Sequence, residues 1–505
     1  MSNPNPPAGP ARHTRRVIAA GIMLLALYAA FLSRHTAVVA GGADSSGYLN
    51  SARLFREGNL RETLRAPAAL GPAAGLDAMH FLPQGFFPSA ERGRLNPTYP
   101  TGLPLHLAAA QAAFGARAGT AVVLLGAAAA AVALMYAAAR ALGLHVALAA
   151  AGAVTLAAFP VFLFASIQPL SDTLATAWAL AALTAALRAG KSGIWSAAAG
   201  FALAAAVLTR PTNLLLAPAL VVLIGWQPRR LLVFAAGGLP GAAWLAWYNH
   251  ALYGHPFASG YGNIGAAFAV QYGAPTALHF AKWLALLLPA ALLALPLAAA
   301  ARGEFRDRRL AALALAFLAI AGCYAFYEVS HEVWWCLRFI LPAVPALILA
   351  ALLGIEALAR GPGARWPRAF RPAAGLVIAL WAVGVSWHWT PRLAVFEMRR
   401  YEQAYADGAA AALERFRPGA LVVCSAFSGS IYHYTPFAVL RSDQIAPDDF
   451  RGHAARLHAA GTEVGAVLFE SEETEAFRRC PGDWTRVARV GNVGLWRLSR
   501  PADPS

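Results

Sequence analysis

The chain has 505 residues, of which 58% belong to the set AVILMFWYC and only 13% are charged, and its mean hydropathy is +0.51. An ordinary soluble enzyme is about 45–50% apolar with Gly counted and about 25% charged, so the composition excludes that class and points to a polytopic membrane protein. The formal charge of +16 is almost wholly arginine, since Lys191 and Lys282 are the only lysines. It requires no nucleic-acid partner, because membrane proteins collect such charge in cytoplasmic loops. Cys323, Cys336, Cys424 and Cys480 form no CxxC, which excludes a disulfide-rich scaffold and a thiolate metal site.

A membrane helix needs about 20 mostly apolar residues. The first such stretch runs from about Val17 to Ala40, and Arg12, Arg15 and Arg16 before it put residues 1–16 in the cytoplasm. Val38-Val39-Ala40 also resembles a signal-peptide cleavage site, which is the competing reading. Further spans at about 118–142, 145–167, 172–189, 193–210, 212–226, 231–249, 283–301, 310–327, 338–358 and 372–389 make about eleven transmembrane helices and send the C-terminus outside. The alternation then puts Arg140, Arg188, Lys191, Arg229 and Arg230 inside. Arg302, Arg306, Arg308, Arg309, Arg360, Arg365, Arg368 and Arg371 join them, against Glu304, Asp307 and Glu356. The short outer loops carry little beyond Arg210, Lys282 and Arg338, the bias expected of this orientation.

Two parts lie outside the membrane. Within the transmembrane domain, residues 17–390, the outer loop 41–117 is too long for a mere connector. Its early part, Gly47 to Leu64, has the spacing of an interfacial helix, and Gly102 to Phe114 is apolar but too short to span, as in a re-entrant or interfacial segment. The tail, residues 391–505, turns charged and alternates between strand-like and helical patterns. Strands are expected at Ala420–Cys424, Phe437–Arg441, Val464–Phe469, Arg486–Val490 and Val493–Leu498, and helices near Asp448–Ala460 and Glu472–Arg479. This reads as a small outer, periplasmic α/β domain, in which Cys424 and Cys480 either pair or stay as separate buried thiols.

Charges at the bilayer centre cost on the order of 2.5–3.5 kcal/mol each and usually mark function. Here the span centres are nearly free of them, which argues against an ion-coupled transporter. Asp44, Asp172, Arg210, Lys282, Glu328, His331, Glu332 and Arg338 gather instead at the outer ends, so a site at the outer face is the economical inference. Asp44, in Gly41-Gly42-Ala43-Asp44-Ser45-Ser46-Gly47-Tyr48, either points into a cleft or caps the interfacial helix. Asp172 sits where a cap belongs as well. His331-Glu332 opens like a zinc-protease motif, but Trp335 stands where the second His is needed. Gly260 to Gly265 matches GxGxxG without the strand and βαβ unit that a dinucleotide site requires. Trp334, Trp335, Trp381, Trp387 and Trp389 read mostly as interface anchors, with stacking on a sugar as the rival role.

Asp44 with Tyr48 and Ala52, then Asn96-Pro97-Thr98-Tyr99-Pro100-Thr101-Gly102-Leu103-Pro104, Pro169-Leu170-Ser171-Asp172 and Thr209-Arg210-Pro211-Thr212 follow one another in order. Asn249-His250-Ala251-Leu252-Tyr253-Gly254-His255-Pro256, Ser259-Gly260-Tyr261-Gly262 and Arg338-Phe339-Ile340-Leu341-Pro342-Ala343-Val344-Pro345 continue the series. Over about residues 15–355 the chain resembles the GT-C superfamily of membrane glycosyltransferases. More narrowly, it resembles the bacterial branch of the dolichyl-phosphate-mannose protein mannosyltransferase family. In that family the first-loop acid is often followed by a second one, where this chain has Ser45.

The resemblance implies a hexosyl or pentosyl transferase of the bacterial inner membrane. It would move a sugar from a polyprenyl-phosphate donor to a glycan, lipid or protein acceptor at the outer face. Asp44 would be the general base of an inverting displacement, and Arg210, Arg338 and Lys282 would meet the donor phosphate. For Lys282 simple snorkelling to the interface is the rival reading. Asp172 would either help Asp44 hold a divalent metal or orient the acceptor. Tyr48, His80, Arg94, Tyr99, Tyr261, Glu328, His331 and Glu332 are candidate sugar or acceptor contacts. The alternative is a non-catalytic lipid-linked glycan binding protein or flippase that uses the same groove.

Overall fold

The computed structural model describes residues 10–301, 308–360 and 367–502. The loop charges Arg302, Glu304, Arg306, Asp307 and Arg365 lie outside the described residues. The chain is a helical membrane-type body with a small C-terminal sheet domain on one end. Five helices among the described residues are long and apolar enough to cross a membrane: Ala116–Ala141, Pro228–Tyr253, Arg308–Ala325, Trp334–Arg360 and Phe370–Arg392. A sixth crossing is formed if Val146–Ala158 and Pro160–Ser166, bent by 61°, count as one span.

Of the other expected spans, Ser171–Arg188 is one helix of the expected extent, and the rest are shorter or interrupted, mostly at proline. Pro160 has no amide N–H to continue a helix and pushes Phe159 to extended angles, which makes the 61° bend. The window 212–226 is a 3-10 turn, Pro211–Leu216, followed by Ala217–Ile224. The window 283–301 divides at Pro289 between Gly273–Leu287 and Pro289–Ala301. The first helix ends at Ser33, so residues 34–42 are a connector rather than the end of a span.

Ser171–Arg188 and Val344–Arg360 are buried on almost every side and form the centre of the helical body. Peripheral helices expose Leu232, Leu239, Leu376, Val377 and Leu380, the apolar face that lipid would cover. Helices Gly193–Thr209 and Pro228–Tyr253 touch through backbone: a Cβ on Gly200 would collide with the Phe234 carbonyl and one on Gly237 with that of Ala197. In lipid, small residues at such a crossing allow the van der Waals contact that replaces hydrophobic driving force.

The first loop is ordered. Its helix runs Ala43–Arg56, four residues earlier at its start than the spacing suggests, and a second helix occupies Gly102–Phe114. Between them lies an antiparallel sheet of Glu62–Thr63, Arg94–Pro97 and Phe86–Pro88, with Arg94–Pro97 central. Strands this short carry no readable alternation. Tyr48, Leu49 and Ala52 pack on Leu103 and Leu107, fixing the first loop helix against the second.

The C-terminal sheet has the order Ala438–Arg441, Leu421–Cys424, Val464–Phe469, Val493–Pro501, Gly482–Val490. The first three strands are parallel and the last two antiparallel. Helices Met398–Arg415 and Ser428–Tyr434 join the expected ones, here Pro447–Ala459 and Glu473–Arg479. Cys424 and Cys480 are separate buried thiols. Leu54, Leu64, Phe81, Phe86 and Leu95 of the first loop share one core with Leu421, Leu440, Phe450 and Leu468. Loop and tail therefore bury each other's apolar faces and form one layer at one end of the helical body.

Candidate active site

Asp44 stands in the first turn of helix Ala43–Arg56. The cap position belongs to Gly42, which makes no side-chain cap bond, so the Asp44 carboxylate is not consumed by its own helix. Asp172 likewise follows Leu170 and Ser171 at the head of Ser171–Arg188 without capping it. Both carboxylates turn to two arginines. Arg338 Nη1 lies 2.7 Å from Asp44 Oδ2 and 3.6 Å from Asp172 Oδ2, while Arg210 pairs with Asp172 Oδ1. Arg210 Nη2 also donates to the Tyr324 hydroxyl at 3.0 Å, and that hydroxyl lies 3.1 Å from Thr212 Oγ1.

These four charges border a cavity of about 890 Å³, walled by Tyr48, Tyr99, Tyr261, Tyr324, Trp335 and Phe339. The arginines are held by aromatic faces as well as by charge. Arg338 lies 5.2 Å from the Trp335 ring centre and 5.3 Å from that of Phe339, and Arg210 lies 5.6 Å from Phe339 and 5.7 Å from Tyr324. Cation–π contact of this kind fixes a guanidinium without using up its N–H donors.

The two acids are not equivalent. The Asp172 side chain is 1% exposed and meets both guanidiniums, so it serves as their common anchor. The Asp44 side chain is 28% exposed and faces the cavity. Burial pushes its carboxyl up, but Arg338, the Tyr99 hydroxyl and Arg210 together hold it below the usual carboxylate range. Burial and the Asp44 charge push the Tyr99 phenol well up, so Tyr99 stays protonated and donates to Asp44. The Tyr48 hydroxyl donates to Ser171 Oγ at 2.9 Å and its ring lies 4.8 Å from that of Tyr99, tying the two acid-bearing helix starts together.

A divalent metal shared by Asp44 and Asp172 would have to displace Arg338. Arg338 already fills the space between them, and the described residues contain no group of three or more His, Cys, Asp or Glu able to hold an ion.

Glu328, Glu332 and Tyr261 line the cavity with Asp44, Tyr48, Tyr99, Asp172, Arg210 and Arg338. Four candidates do not. Lys282 is exposed with its ammonium 5.1 Å from the Trp283 ring, the arrangement of a snorkelling residue. His80 sits under the C-terminal domain, 3.8 Å from Asp77 and 3.9 Å from Asp449. Arg94 braces the small first-loop sheet, donating to Thr63 Oγ1 at 2.8 Å. His331 turns away to stack on Tyr272. Tyr324, Phe339 and Thr212 also line the cavity; they carry no charge, so a search for ionisable groups at helix ends passes them over. Trp334 and Trp335, expected as interface anchors, pack inward on Phe164.

No protein-family model matches the chain, and no curated protein matches it in sequence. Solved structures do. ArnT from Cupriavidus metallidurans bound to undecaprenyl phosphate is 14% identical with a TM-score of 0.60, covering 97% of this chain and 99% of its own. The Archaeoglobus fulgidus oligosaccharyltransferase in its apo form is 13% identical, TM-score 0.53, covering 94% and 74%. The arabinofuranosyltransferase AftD from Mycobacteria is 14% identical, TM-score 0.53, covering 97% and 40%. Over nearly its whole length, the chain has the fold of the GT-C membrane glycosyltransferases.

Proposed function

We propose that the protein transfers a sugar from a polyprenyl-phosphate donor to an acceptor at the outer face of the bacterial inner membrane, with inversion at the anomeric carbon. The observation that carries this reading is Asp44, a carboxylate open to the cavity and 2.7 Å from a guanidinium that also meets a second acid. Asp44 takes the proton of an acceptor hydroxyl as its oxygen attacks the anomeric carbon, and the bond from that carbon to the phosphate oxygen breaks with its electrons going to the phosphate. Arg338 and Arg210 face the developing charge on the leaving phosphate. When phosphate draws Arg338 to itself, Asp44 loses the charge that depresses its basicity and becomes a stronger base. The binding of undecaprenyl phosphate by ArnT and the shared fold support the donor class. The excess of arginine in the loops assigned to the cytoplasm supports the outward-facing site.

The test supplies purified protein in nanodiscs with radiolabelled undecaprenyl-phosphoryl hexoses and pentoses and a bacterial envelope extract as acceptor. Label should leave the donor for the acceptor, and Asp44→Asn, which keeps the shape and removes the base, should lower transfer by at least about 10²-fold. Movement of intact donor across proteoliposome membranes, with no cleavage by either protein, would instead establish the flippase reading.

A further inference from the structure

The connector before Asp44 is held by side chains some 360 to 390 residues away in sequence, as the separations of the bonded pairs show. The Ala40 N–H donates to the Tyr434 hydroxyl at 2.7 Å, the Ser430 hydroxyl donates to the Gly41 carbonyl at 2.9 Å, and the Gly42 N–H donates to Glu402 Oε1 at 3.4 Å. Glu402 Oε2 is enclosed and occupies the place a Cβ on residue 41 would need, so a larger residue there would push the Glu402 carboxyl aside. All three partners belong to the C-terminal domain, on helices Met398–Arg415 and Ser428–Tyr434.

We propose that the C-terminal domain positions the base: Glu402, Ser430 and Tyr434 clamp the turn Ala40–Gly42 and thereby aim Asp44 into the cavity. The inference rests on Asp44 being the base, as proposed above. Its logic is local. Helix Ala43–Arg56 starts at a glycine cap with no side-chain bond of its own, so its entry angle is set from outside. Glu402 supplies the acceptor at that helix start, which leaves Asp44 free for the cavity. Burial pushes the Glu402 carboxyl up, against the Ser45 hydroxyl and the Gly42 N–H. At the turn the carboxyl serves as an acceptor for the Gly42 N–H, a role that the amide oxygen of a Gln of the same shape can take.

The test compares Glu402→Ala, Glu402→Gln, Tyr434→Phe and Gly41→Ala in the full-length chain in nanodiscs. It measures turnover of the undecaprenyl-phosphoryl sugars and, separately, the Kd for undecaprenyl phosphate. Misplacement of a reacting group by about 1 Å costs up to about 10²-fold. The Ala variants and Tyr434→Phe should therefore lose about tenfold or more in kcat with the Kd unchanged within about twofold, while Glu402→Gln stays within about threefold of wild type. Unchanged kcat in Glu402→Ala and Tyr434→Phe would overturn the proposal. So would a Gln variant as poor as the Ala one, or a kcat loss matched by loss of undecaprenyl phosphate binding. If Glu402→Ala does not fold, the near-isosteric Tyr434→Phe decides by the same criteria. Failure of the Asp44 reading shows separately, as turnover retained by Asp44→Asn.

Discussion

Arg338→Ala removes a guanidinium that touches both carboxylates, 2.7 Å from Asp44 and 3.6 Å from Asp172. Asp172 keeps Arg210, but Asp44 is left with the Tyr99 hydroxyl and a more distant Arg210 charge. Loss of one preorganised group facing the leaving phosphate should cost about 2.7–4 kcal/mol of transition-state stabilisation, or about 10²–10³ in kcat. The same change has a pH signature. In the wild type burial raises the Asp44 carboxyl, and Arg338, the Tyr99 hydroxyl and Arg210 together more than reverse it; without Arg338 the largest of these opposing groups is gone and the carboxyl titrates at higher pH than in the wild type. A base acts only when ionised, so the acid limb of the rate profile should move upward in pH. Arg338→Lys keeps one point charge but cannot reach both acids with a planar fork, and an intermediate loss of about tenfold is expected. The assay follows release of undecaprenyl phosphate from undecaprenyl-phosphoryl sugar in nanodiscs across the acid limb. A kcat within about threefold of wild type in Arg338→Ala, with the limb unmoved, would reduce Arg338 to a structural tie and refute the reasoning.

Asp172→Asn should act mainly on stability. It leaves two guanidiniums facing an uncharged amide at a 1%-exposed position, a cost of about 3–5 kcal/mol, whereas Asp44→Asn at the open cavity wall should lower the thermal midpoint far less. Thermal unfolding in detergent compares them. His433, half-buried at the contact with the first loop, has its pKa lowered from 6.5 to about 3 by burial and by Arg53, Arg56 and Arg65, and its Nδ1 lies 3.1 Å from Asn50 Oδ1. The folded state keeps this ring neutral, while below pH 6.5 the unfolded chain gains a proton there. Its contribution is therefore complete above pH 6.5 and is lost at about 1.4 kcal/mol per pH unit as pH falls toward about 3. His433→Asn should show a shallower decline than wild type over that range; identical slopes would contradict the assignment.

The charged centre was legible in the sequence because a lipid-spanning chain can keep few charges, and those left at helix ends stand out. Asp44, Asp172, Arg210 and Arg338 are visible for that reason, and the structure brings them together around one cavity. Lys282 shared the signal, but a long side chain at an interface can reach water on its own. What stayed hidden depends on contacts far apart in the chain. Glu402 is one acid in a charged surface-type helix until Gly41 and Gly42 are placed against it. His80 drew notice as a polar residue in a functional loop, yet its partner Asp449 belongs to the tail. The first-loop sheet escaped because strands of two to four residues show no periodicity. The proline breaks within the spans were present in the sequence, but hydropathy averaged over about 20 residues conceals them.

The most direct test of the central claim is a single-turnover ³¹P measurement on wild type and Asp44→Asn loaded with a bound undecaprenyl-phosphoryl sugar in nanodiscs, after acceptor is added. The account predicts that the wild type converts the phosphodiester signal to that of undecaprenyl phosphate. The variant should retain a bound, uncleaved donor. Conversion by both proteins at comparable rates would contradict the assignment of Asp44 as the base.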